Sequence, residues 1–154
     1  MKKIFALCLM AIMGVVLAAS KEALAFLPNF ELVTLLLILF TLCFGRYVIG
    51  ALGVFLLLEG LLYGFGLWWA MYLYVWPLLA GLAWLFRWMD KAWQWALLAG
   101  GYGLCFGSLC ALAYLPLGGA SMALAWAIAG LPFDFIHAGA NFLLALVLYR
   151  PLRT

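Results

Sequence analysis

The chain has 154 residues, 71% hydrophobic and 8% charged, with a net charge of +3 and a mean hydropathy of +1.26. A soluble domain carries about 25% charged residues, so this composition excludes one and points to a membrane-embedded protein. Continuous apolar runs, rather than period-two alternation, exclude a β-barrel, and the basic residues are too scattered for a nucleic-acid footprint.

Six apolar runs read as helical spans, at about 4–20, 31–45, 47–63, 68–86, 92–114 and 132–149. They predict an all-α, polytopic membrane bundle of six transmembrane helices, a single domain over 1–154. One span takes about 20 residues, so six leave only short connections and no room for an extramembrane domain. The first run follows Met1-Lys2-Lys3 and closes on Ala18-Ala19-Ser20. Secretory signal peptides share that pattern; the reading adopted is a retained first span.

The first connection, Leu27-Pro28-Asn29-Phe30-Glu31, leads to Thr34. Asn29 suits a helix cap and Glu31 the positive end of a helix. In a functional reading the same loop is a gate, with Asn29 or Glu31 reaching into an outer cavity. Gly45-Arg46 separates the second and third spans. Glu59, near the outer end of the third span, either pairs with Lys21 or lines that cavity.

The fourth span holds Trp68, Trp69, Tyr72, Tyr74 and Trp76. Trp68, Tyr72 and Trp76 step by four and share a face, with Trp69 beside them. An interfacial aromatic belt accounts for Trp68 and Trp69. Tyr72 and Trp76 lie deeper, where they suit stacking of a planar ligand or helix packing. Pro77 can kink the span. After the turn from Arg87 to Lys91 and the fifth span comes a stretch, 115–131, with Pro116, Gly118, Gly119 and an alanine-rich segment. It reads as a short outer helix or re-entrant piece over the bundle.

The sixth span opens Pro132-Phe133-Asp134 and continues through His137 to Asn141. That spacing places Asp134, His137 and Asn141 within about 60° of one another on a helix. Ionisable groups inside a span normally face the bundle interior or a wet cavity. Asp134 alone also suits a helix start behind Pro132. Cys8, Cys43, Cys105 and Cys110 form no CxxC pair and read as buried small hydrophobes.

On this segmentation Lys2, Lys3, Arg46, Arg87, Lys91, Arg150 and Arg153 share one face, and Lys21 alone lies at the other. Glu22, Glu31, Glu59 and Asp134 gather near the face of Lys21, and Asp90 lies opposite. The positive-inside bias then predicts cytoplasmic N- and C-termini and a multi-pass protein of the bacterial cell membrane. No phosphate-binding GxxxxGK[ST] loop, HExxH or GxSxG occurs, and there is one histidine. The chain therefore has no ATPase of its own, lacks the parts of a metal or serine enzyme, and needs no cofactor. An acidic, aromatic-walled cavity suits a small planar compound with amine or hydroxyl donors.

Leu27-Pro28-Asn29-Phe30-Glu31-Leu32-Val33-Thr34, the stretch 55–77, and the stretch 130–152 with its Pro132-Phe133-Asp134, His137 and Asn141 resemble the substrate-binding S components of energy-coupling factor (ECF) vitamin transporters. The resemblance runs from about residue 26 to the C-terminus. It implies a subunit that captures a vitamin-like or nucleobase-like micronutrient outside, then joins a transmembrane coupling subunit and two ATPase subunits. The expected substrate-binding residues are Asn29, Glu31, Glu59, Trp69, Tyr72, Trp76, Asp134, His137 and Asn141. The family's first span contacts the coupling subunit, often through AxxxA. Here Ala11, Gly14 and Ala18 offer a small-residue face instead. The alternatives are an envelope scaffold resembling the rod-shape factor MreD and a self-sufficient secondary carrier.

Overall fold

The computed structural model describes residues 2–153; of these the Lys2 side chain lies outside the description. Among the described residues six α-helices follow one another: α1 (Lys2–Ala23), α2 (Val33–Phe44), α3 (Tyr47–Tyr63), α4 (Leu67–Leu85), α5 (Ala92–Ala111) and α6 (Leu115–Arg153). A single 3-10 turn, Leu112–Tyr114, joins the last two, and no strand occurs among the described residues. The boundaries fall at the glycines and charges expected. Gly45 and Gly64 take positive φ as α2 and α3 end, a conformation that favours glycine.

Cross-helix contacts set an up-and-down order. α1 runs parallel to α3, with Met10 against Gly50, Gly14 against Ala51 and Val54, and Lys21 paired with Glu59. α6 is antiparallel to α5, with Gly107 facing Asp134, Gly103 facing Ala138, and Trp95 stacked on Tyr149 at 5.8 Å between ring centroids. It is parallel to α2, through the pairs Glu31–His137 and Thr34–Asn141. The ends bearing Lys3, Arg46, Arg87, Lys91, Arg150 and Arg153 therefore collect at one end of the bundle, and Lys21, Glu22, Glu31, Glu59 and Asp134 at the other.

Among the described residues three helical stretches are long and apolar enough to cross a membrane: Lys3–Ala23, Leu67–Leu85 and Ala92–Arg153, the last folded back on itself. α2 and α3 are apolar but shorter, at 12 and 17 residues. At 1.5 Å per residue they measure about 18 and 26 Å, below the hydrocarbon thickness of about 30 Å.

The stretch 115–131 corrects the sequence reading. It is neither a separate outer helix nor a re-entrant piece. Gly118 (φ −144°, ψ 17°) and Gly119 (φ 70°, ψ −168°) break the helical path, and everything after them continues as helix to Arg153. The alanine-rich segment thus forms the first turns of the last helix, and Trp126 returns against Tyr114 at 5.2 Å. Alanine has the strongest helix propensity, and nothing after Gly119 stops the helix until Pro132, which it accommodates. Pro77 is likewise absorbed within α4.

One further expectation fails. Of the cysteines only Cys110 is buried; Cys8, Cys43 and Cys105 lie on the outer surface of the bundle. In a membrane that surface meets lipid, where a small apolar side chain is as well placed as in a core. The first-helix face expected to meet a partner is largely occupied. Gly14 and Ala18 are buried, and a side chain at Gly14 would collide with Val54 and the Ala51 carbonyl of this same chain. Ala11 alone of the three is exposed. The small residues serve the close approach of α1 to α3.

Candidate functional site

The acidic end of the bundle encloses a cavity of about 430 Å³ between the α1–α2 connection, the aromatic face of α4, and the facing sides of α5 and α6. Its wall on the α6 side depends on glycines of α5. Gly100, Gly103 and Gly107 recur on one face, and a Cβ at Gly107 would overlap the Asp134 carboxyl group. The absence of side chains there lets α6 sit close enough for the Gly107 backbone N–H to donate to Asp134 Oδ1 at 3.0 Å. Asp134 Oδ2 is buried with no partner.

One turn further along α6, His137 Nε2 lies 3.2 Å from Glu31 Oε1. The second Glu31 oxygen accepts the Thr34 backbone N–H at 2.9 Å, so this carboxylate both caps the start of α2 and holds the imidazole. The two readings offered for Glu31 are compatible, since a carboxylate has an oxygen for each. Asn29 does not cap; it adopts a left-handed turn at φ 62° and lines the cavity. Such a backbone is uncommon for a residue other than glycine, and asparagine tolerates it best.

The α4 wall is a ladder of edge-to-face rings. Trp68 meets Tyr72 at 5.4 Å, and Tyr72 meets Trp76 at 5.5 Å. Phe106 of α5 continues it, 5.5 Å from Trp76 and 5.0 Å from the His137 ring. Edge-to-face geometry sets the positive edge of one ring against the negative face of the next. Trp76 is 2% exposed, and its Nε1–H has no acceptor.

At the mouth, Lys21 pairs with Glu59 and lies 4.7 Å over the Tyr63 ring, while Tyr63 donates to Glu22 at 2.5 Å. These contacts tie the end of α1 to the end of α3.

Six of the nine residues expected at a binding site line the cavity: Asn29, Glu31, Tyr72, Trp76, Asp134 and His137. The other three do not. Glu59 is fully buried behind the wall, where Lys21 takes up its charge. Trp69 turns away to donate to the Leu56 carbonyl at 2.8 Å and packs on Phe65. Asn141 lies one turn too deep, where it donates to Thr34 at 3.2 Å. The reading from sequence missed Phe106, Tyr63 and the cavity-facing role of Lys21 and Glu22. A signal for Phe106 was present, because the glycine face of α5 that must meet α6 lies beside it.

Among the described residues no group of three His, Cys, Asp or Glu side chains is placed to hold a metal ion. The residues that line the cavity supply unpaired hydrogen-bonding atoms, a carboxylate–imidazole pair and a run of contacting aromatic rings. No protein family, curated protein or solved structure matches the chain.

Proposed function

We propose that this chain is the substrate-capture subunit of an ECF-type importer. It spans the membrane six times with both ends cytoplasmic, and holds a small vitamin-like or nucleobase-like compound at the outer face. A separate coupling subunit and two ATPase subunits then drive uptake.

One observation carries the reading. Asp134 Oδ2 and Trp76 Nε1 are buried polar atoms without partners, both belonging to residues that line a single cavity. Leaving such an atom unpaired costs about 1–3 kcal/mol, which a complementary ligand recovers on binding. A scaffold has no use for that arrangement.

Charge supports the orientation. The end opposite the cavity carries the described basic residues other than Lys21, so the positive-inside bias turns the cavity outward. The short α2 then stops below the outer face, and the cavity occupies depth that it leaves unfilled. The shortfall for α2 is roughly 12 Å against a hydrocarbon core of about 30 Å.

The test is a tagged pull-down from native membranes in mild detergent, with co-purifying proteins identified by mass spectrometry. Recovery of a transmembrane coupling subunit with ATPases supports the proposal. Recovery of envelope-shaping proteins instead would replace it with the scaffold reading.

A further inference from the structure

We infer that the cavity selects a planar organic cation: an aromatic ring with a protonated or quaternary nitrogen, its charge at Asp134 and its ring against Tyr72, Trp76 and Phe106. This deepens the capture reading above and rests on it.

Charge is the first argument. The lining carries the carboxyl groups of Glu22, Glu31 and Asp134 against the single ammonium of Lys21. That ammonium is already engaged by Glu59 behind the wall. Counting His137 as charged still leaves three acids against two cations before Glu59 is added. An anionic ligand would find no uncommitted cation there and would meet three acids.

The second argument is which atoms are free. Glu22 receives the Tyr63 hydroxyl, and Glu31 is held by the Thr34 N–H and His137. Asp134, 4% exposed, is the lining acid that keeps a buried oxygen without a partner. A buried carboxylate oxygen is best matched by a charged donor, whose hydrogen bond is roughly twice as strong as a neutral one. Trp76 Nε1–H asks for an acceptor on the same molecule.

The third argument is the wall. The faces of tyrosine and tryptophan attract cations electrostatically and also stack on planar rings, and the attraction grows once water is excluded. A planar cation adds stacking on the rings to the attraction of ring faces and acid; an aliphatic amine forgoes the stacking.

The experiment uses the purified full-length chain in lipid nanodiscs at neutral pH, with three radiolabelled six-membered rings of differing charge, each bearing a carbonyl acceptor: N1-methylnicotinamide as the cation, nicotinamide as the neutral ring and nicotinate as the anion. We expect the cation to bind at least about tenfold more tightly than nicotinate, a difference of about 1.4 kcal/mol. Asp134→Asn, which keeps an acceptor for the Gly107 N–H, should abolish that preference. Trp76→Phe should weaken all ring binding several-fold while preserving the order of charge. The wild-type ranking stands even where a variant fails to fold. Nicotinate or nicotinamide binding as tightly as the cation overturns the inference and leaves capture standing. Binding of none of the three also overturns it, and capture is then decided by the pull-down alone.

Discussion

Two alanine substitutions two residues apart on α5 should move stability in different directions. A methyl group at Gly103 would stand 3.0 Å from Ala138 N and from the carbonyl carbon and oxygen of His137. These are backbone atoms, which cannot swing aside as a side chain can, so α5 and α6 must separate by a few tenths of an ångström along their contact. Overpacking of this kind costs about 1–3 kcal/mol. The helical preference of alanine over glycine returns at most about 1 kcal/mol. At Gly101 nothing lies within 4 Å, so only the favourable part remains. Gly101→Ala should therefore leave stability unchanged or raise it, with Gly103→Ala lower than Gly101→Ala by roughly 1–3 kcal/mol. Unfolding in mixed micelles with increasing dodecyl sulfate, followed by tryptophan fluorescence, measures the difference. Equal stability of the two variants would refute the close α5–α6 contact on which the Asp134 wall depends.

Other consequences follow from the same contacts. Lys21→Ala strands the fully buried Glu59 and should cost at the lower end of about 3–5 kcal/mol, Lys21 being partly exposed; Lys21→Met with Glu59→Leu should restore most of it in the same unfolding assay. Glu31→Ala removes the cap of α2 at about 1 kcal/mol and frees His137, so its stability loss should be small beside its loss of ligand binding. Trp69→Phe loses its bond to the Leu56 carbonyl, about 1 kcal/mol, yet should bind ligand as wild type does, since Trp69 is not in the cavity wall. Weakened ligand binding by a stably folded Trp69→Phe protein would place the site elsewhere on α4.

Much of the fold could be read along the chain because hydropathy and helix breaks are local properties. The spans at 47–63 and 68–86 match α3 and α4 within a residue, since glycines mark their ends. The shared face of Asp134, His137 and Asn141 follows from helical spacing alone, and all three are buried. What the sequence leaves open has a different origin. Hydropathy and length describe the stretch 115–131 only as too short to span, whereas the turn is decided by the conformations of Gly118 and Gly119. Gly14 and Ala18 looked like a free small-residue face because sequence does not say which neighbour such a face meets; here it meets α3.

The amino-acid sequence by itself determined the class of this protein: a helical bundle too apolar for water, with all its basic residues but Lys21 at one end and all its acidic residues but Asp90 at the other. It also placed the aromatic and ionisable residues on their helix faces, because helical period is a one-dimensional property. Only the tertiary structure decided which of those residues share one cavity. Glu31 meets His137 across 106 positions, and the partners of Glu59 and Trp69 remove both from the wall. The reason is packing: a face is fixed by period, but its neighbour is fixed by how closely two helices approach, and here the glycines of α5 and the small residues of α1 set that distance.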